Sequence, residues 1–167
     1  MIERMRQEAP TSRLSVVLPE LPLAGFGFLT NFLWEMLQVP WFMGMANSSH
    51  GSVVWLCIQA TGGDVLILLA SFWFSSIVFG HRRWLLEGKR KPAITLLVAA
   101  LLVTIVMEWL ATGPLERWTY ADSMPVIPLL GVGLAPLLQW IILPPLIMWL
   151  SHRHMLGCMA IRSSRAV

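Results

Sequence analysis

Apolar residues dominate four stretches of the chain, at about 22–39, 53–79, 93–111 and 132–150, and the charged residues gather almost wholly between them. Each stretch approaches the ~20 apolar residues that an α-helix needs to cross a bilayer. The pattern predicts an all-α, polytopic integral membrane protein: one membrane domain over residues 1–167, built as a bundle of four transmembrane helices. The second stretch is long enough to tilt or to project beyond the lipid. The fourth carries Pro136, Pro144 and Pro145, so its inner half is expected to kink, which membrane helices tolerate when neighbours satisfy the freed carbonyls. Between the third and fourth, Gly113-Pro114 stops one helix, and Pro125, Pro128, Gly131 and Gly133 exclude a regular one. Residues 112–131 therefore read as a structured loop that caps the membrane domain.

Composition agrees with the pattern. Hydrophobic residues make up 56% of the 167 and charged residues only 13%, about half the charged share of a soluble domain. The net charge of +3 does not indicate nucleic acid, because the basic residues form no stripe with stacking aromatics. Cys57 and Cys158 lie in or beside different apolar stretches, and they give neither a disulfide framework nor a zinc spacing. The first stretch has a basic flank in residues 1–13, but no A-x-A-like site follows it, and it contains Asn31 and Glu35. It is read as a retained helix, not a cleaved signal. No motif calls for a cofactor or a metal.

The basic residues set an orientation. Arg4, Arg6 and Arg13 precede the first stretch, Arg82, Arg83, Lys89, Arg90 and Lys91 separate the second from the third, and Arg153, Arg162 and Arg165 follow the fourth. Of the 12 Lys and Arg residues, Arg117 alone falls in the other two loops. The positive-inside rule then places both termini in the cytoplasm, in a bacterial inner membrane. Trp41, Trp55, Trp109 and Trp118 would mark the outer interface, and Trp84 and Trp149 the inner one.

This orientation puts the polar residues of the spans at a common depth. Glu35 lies in the outer third of span one, with Asn31 one turn deeper on the same face. Gln59 and Asp64 fall in the outer half of span two, Glu108 near the outer end of span three, and Gln139 about two turns into span four. The inner half holds no ionisable side chain. Intramembrane ionisable groups are costly and usually face the bundle interior, so Glu35, Asp64 and Glu108 are the candidate catalytic residues of a cavity open to the outer face. Asn31, Trp34, Gln59 and Gln139, with Arg117, Trp118 and Tyr120 of the capping loop, are the candidate substrate contacts. The bland alternative is that both glutamates reach the headgroups and the amides only join helices. Arg117 would either pair with Glu108, Glu116 or Asp122, or grip a phosphate or carboxylate headgroup. His50 reads as an exposed loop residue, and His152 and His154 as interfacial.

The blocks "NFLWEMLQ", "ATGGD", "EWLAT…ERWTYADSMP" and "GVGLAPLLQW…PP" resemble those of a family of small, four-span bacterial inner-membrane proteins. This resemblance spans most of residues 29–150 and brings no activity with it. A second resemblance is to intramembrane terpene cyclases, whose first-helix N-x-x-W-E pattern is similar to Asn31, Trp34 and Glu35. Membrane carotenoid hydratases and cyclases combine an intramembrane Glu with a W/F-x-Y…P…G stretch, comparable to Glu108, Trp118, Tyr120, Pro125 and Gly131. Those enzymes have more than four spans. Two functions are therefore carried forward. One is a membrane protein that binds or transforms a lipid-soluble, isoprenoid-like molecule. The other is a non-catalytic accessory subunit, or a small proton- or cation-handling protein, working as a homo-oligomer or with a membrane partner.

Overall fold

The computed structural model describes residues 18–45 and 47–164. Arg4, Arg6, Arg13 and Arg165, and the side chain of Arg162, lie outside the described residues. Four α-helices carry the chain: α1, Glu20–Gln38; α2, His50–Val78; α3, Arg90–Thr112; and α4, Leu134–Ser164. Of these, α2, α3 and α4 are long and apolar enough to cross a membrane. The 19-residue α1 carries Glu20, Asn31, Glu35 and Gln38 and is not among them.

The helix ends follow local chemistry. α2 starts at His50, before the apolar stretch begins, because Ser49 caps it by accepting from the Ser52 amide at 3.3 Å. α4 outruns the stretch that predicts it, continuing from residue 150 to Ser164. Hydropathy drops at Ser151, yet Ile147, Ser151 and Met155 keep one fully buried face at four-residue spacing, so helical packing persists where apolarity ends. The helix also runs uninterrupted through Pro144 and Pro145. At ~1.5 Å per residue, its 31 residues exceed the ~30 Å hydrocarbon thickness.

The helices pack in a ring, α1 and α3 each lying against both α2 and α4. Gly27 lets α1 approach α2 closely; a Cβ there would sit 3.0 Å from Leu68 Cδ2. One end of the ring is basic, carrying Arg82, Arg83, Lys89, Arg90, Lys91 and Arg153. The start of α1 is tied to this end by an ion pair between Glu20 and Arg82. α4 is tied to it by His152 Nδ1, 2.9 Å from the Leu85 carbonyl oxygen. Here lies the main core, with Leu23, Leu68, Phe72, Leu96, Ala100, Leu143 and Ile147. Trp84, expected at the membrane interface, is instead folded into this core at 1% exposure. Its ring centroid is 5.3 Å from that of Phe72, and its Nε1 donates to Ser76 Oγ at 3.0 Å. A buried indole needs such a partner, and the serine on α2 supplies it.

The opposite end is closed by two loops that hydrogen-bond to each other. The Met43 amide donates to the Thr119 carbonyl and the Ala121 amide to that of Trp41, both at 2.9 Å, setting Phe42 opposite Tyr120. Beyond them β1 (Val126–Ile127) pairs antiparallel with β2 (Val132–Gly133). The connecting turn uses Gly131 at φ +65°, a conformation that favours glycine. Phe42, Met124 and Ala135 form a small second core under this roof.

Candidate functional site

Beneath the roof lies a cavity of about 440 Å³. Each helix contributes a polar side chain to it: Glu35 from α1, Asp64 from α2, Glu108 from α3 and Gln139 from α4. The rest of the lining is largely apolar, including Phe42, Leu56, Ile67, Met107 and Trp140. Helical spacing explains the convergence, since residues three or four apart share a face. Asn31, Glu35 and Gln38 form one such series, and Thr104, Glu108 and Ala111 another.

Gln139, 3% exposed, is the hub. Its Nε2 lies 2.8 Å from Asp64 Oδ2, 2.9 Å from Asn31 Oδ1 and 3.4 Å from Glu35 Oε1. A primary amide has two hydrogens, so the three acceptors compete for them. Gln38 Nε2 donates to the same Glu35 oxygen at 2.7 Å, and Asn31 spends its own Nδ2 on the Gly27 carbonyl at 2.8 Å. The Glu35 and Asp64 carboxyl groups therefore face the same amide nitrogen, that of Gln139, from α1 and α2.

Glu108 is held separately, by the roof. Tyr120 Oη donates to Glu108 Oε2 at 2.5 Å, and Trp118 Nε1 donates to the same oxygen at 3.4 Å. The Gly133 amide donates to Tyr120 Oη at 3.0 Å, so the phenol links the β-hairpin to the intramembrane glutamate. Burial and the adjacent Glu108 carboxylate push the Tyr120 phenol well above its ordinary value. It therefore stays a donor. Gly133 admits the ring because a Cβ there would meet it at 3.1 Å.

Of the residues singled out in the sequence, Glu35, Gln59, Asp64, Glu108, Arg117, Trp118 and Gln139 line the cavity. Asn31 and Tyr120 stand behind the lining and hold residues that do. Trp34 is not in the lining; it packs against the core of the basic half. It leaves α1 about 100° around from Glu35, and its Nε1 is buried with no partner among the described residues. The Arg117 side chain is exposed, with no ion pair among the described residues. Sequence reasoning missed Gln38, Cys57, Thr104 and Trp140, all of which line the cavity. The signal for three of them was spacing: Gln38 is three residues after Glu35, Cys57 seven before Asp64, and Thr104 four before Glu108.

The carboxylates are spread round the cavity. Among the described residues no cluster of three His, Cys, Asp or Glu side chains is gathered closely enough to hold a metal ion. The arrangement suits proton exchange: two carboxyl groups that share one amide hub, and a third carboxylate fixed by a phenol. Comparison of the chain with family models, curated proteins and solved structures gives no match.

Proposed function

We propose that the chain is a four-span inner-membrane protein, α1 included, with both ends cytoplasmic, whose cavity lies toward the outer face and performs proton-transfer chemistry on a lipid-soluble, isoprenoid-like molecule. The observation that supports this reading most is the convergence of three carboxylates from three helices on one cavity with largely apolar walls. A cavity of about 440 Å³ falls in the ~300–1,000 Å³ range of small-molecule sites. In a low-dielectric site, carboxyl groups serve as general acids and bases. The Glu35–Asp64 pair delivers a proton to a carbon–carbon double bond, and Glu108 takes one from the resulting cation. Proton in and proton out balance, so the net change is isomerisation or cyclisation with no other reagent. Trp118 and Trp140 supply ring faces that stabilise the positive charge between the two steps.

The experiment compares lipid-soluble extracts of membranes holding the wild-type chain, Asp64→Asn, or neither, by mass spectrometry. Asp64→Asn keeps shape and loses the acid, so its thermal unfolding in detergent should match or exceed that of wild type, since a buried charge opposes folding. A molecule altered by wild type alone is the expected result. Identical extracts from all three membranes would overturn the enzymatic reading. The shared amide of Gln139 also favours a second reading, proton or cation handling, which a pH dye inside reconstituted vesicles would detect as Asp64-dependent flux.

A further inference from the structure

The walls of the cavity differ in what covers them. From α1 and α4, Gln38, Gln139 and Trp140 are shut in, at 5%, 3% and 3% exposure. From α2 and α3, Leu56 and Met107 line the same cavity at 44% and 47% exposure, and Gln59, Ala60 and Gly63 are exposed as well. The two helices are joined at the basic end, where Ser75 Oγ donates to the Pro92 carbonyl at 2.8 Å. Toward the roof, the exposed part of the lining belongs to these two helices and to Leu115 and Arg117 of the loop that follows α3. Trp55, Leu66, Leu102 and Val106, on the same two helices, present exposed apolar surface, as lipid-facing positions do.

Two buried polar atoms on the lining lack a partner among the described residues. They are Gln38 Oε1 and Thr104 Oγ1, on side chains each 5% exposed. Native structures rarely leave such atoms unpaired, so both mark places for a bound group. The donors of Trp118, Tyr120 and Gln139, and one of the two N–H groups of Gln38, are already spent on the carboxylates and Asn31. Against the second Gln38 N–H, the Thr104 hydroxyl and the exposed Gln59 amide stand the oxygens of three carboxyl groups and Gln38 Oε1, so acceptors predominate. Arg117, the one cationic lining residue among those described, is exposed.

We propose that the α2–α3 seam is a lateral portal from the bilayer, and that the cavity admits through it a long-chain molecule whose polar end donates hydrogen bonds. This rests on the reading that the cavity binds a lipid-soluble molecule. A hydroxyl or ammonium end finds Gln38 Oε1 and the carboxylates as acceptors. A carboxylate or phosphate end meets acceptor oxygens from three helices and finds no buried cation in the lining among the described residues, so it is rejected.

Gly63 provides the test. A Cβ there meets nothing within 4 Å, so a larger side chain fits the fold while filling the portal. Gly25 on α1 is equally open, does not line the cavity, and serves as the control. The full-length chain in detergent is exposed to dodecanol, dodecylamine or dodecanoate, and bound probe is counted by native mass spectrometry. Wild type and Gly25→Leu are expected to hold the alcohol and the amine but not the acid. Gly63→Leu should lose binding about tenfold or more while melting as wild type does. If Gly63→Leu fails to fold, Ala60→Leu carries the same test. Equal binding by wild type and the portal variant would overturn the portal alone. Dodecanoate held as well as dodecanol would overturn the donor-ended ligand. No probe held by wild type would overturn both, together with the reading they rest on.

Discussion

The basic half and the roofed half of this molecule are built from the same four helices and solve opposite problems. In the basic half, Leu68, Phe72, Leu96, Ala100 and Ile147 pack together, and the buried hydroxyls of Ser75 and Ser76 are spent on backbone carbonyls, those of Pro92 and Phe72. In the roofed half, helices that could have met are held apart by a cavity, and its polar side chains depend on one another across helix boundaries. Removing a group from the first region leaves a void. Removing one from the second leaves a charge or a donor without its partner. Apolar packing is concentrated in one half and buried carboxyl and amide groups in the other.

The largest expected effect breaks the packed half. Phe72→Ala deletes a fully buried ring that packs tilted against Trp84, and should cost about 3–5 kcal/mol in detergent unfolding while leaving probe binding at the cavity unchanged in the protein that stays folded. Equal losses of stability and binding would mean the halves are not separable. Next is Gln139→Leu, which removes the one donor shared by Asn31, Asp64 and Glu35. Losing a charge-assisted hydrogen bond and leaving buried acceptors unpaired should cost about 2–3 kcal/mol. Combining it with Asp64→Asn should restore part of the loss, because the new amide brings its own donor. A double variant no more stable than Gln139→Leu would remove the hub from the account.

A smaller effect sharpens the comparison at the roof. Tyr120 is the only tyrosine in the chain, so its ionisation can be followed by tyrosinate absorbance alone. Its phenol titrates above the ordinary value of about 10 when folded. The stability it contributes is therefore fully present below pH ~10 and lost as pH rises from there toward the folded value. Wild-type unfolding should weaken across that window, whereas Tyr120→Phe, about 1 kcal/mol less stable for its lost hydrogen bond, should not show that component. A phenol that titrates near 10 in the folded protein would mean that the Glu108 contact is not maintained.

Much of this was legible in the sequence because it depends on apolar length and helical spacing. Four apolar stretches gave four helices, and spacing alone aligned Asn31 with Glu35. Four features were not legible, each for a physical reason. Trp84 was expected at an interface because tryptophan usually sits there, and only the fold brings Ser76 to its nitrogen. The end of α4 followed buried periodicity through Ser151 and Met155, which a hydropathy average cannot see. Gln38, Cys57 and Thr104 sat at the right spacing but are neutral, so nothing distinguished them from packing residues until the cavity gave them a common wall. The pairing of the 39–45 loop with residues 119–121 is long-range backbone bonding and leaves no local trace.

Modification by a lipid-soluble carbodiimide, mapped by mass spectrometry, tests the central claim most directly. The reagent partitions into the bilayer and couples to carboxyl groups it can reach from there. If Glu35, Asp64 and Glu108 line one cavity open to the lipid at the α2–α3 seam, the label should fall on them and not on Glu20, Glu87, Glu116 or Asp122. It should stop near one per chain as the first adduct fills the space, and Gly63→Leu should slow it. Label confined to the exposed carboxylates, or added independently at all three intramembrane sites, would contradict the existence of a shared cavity.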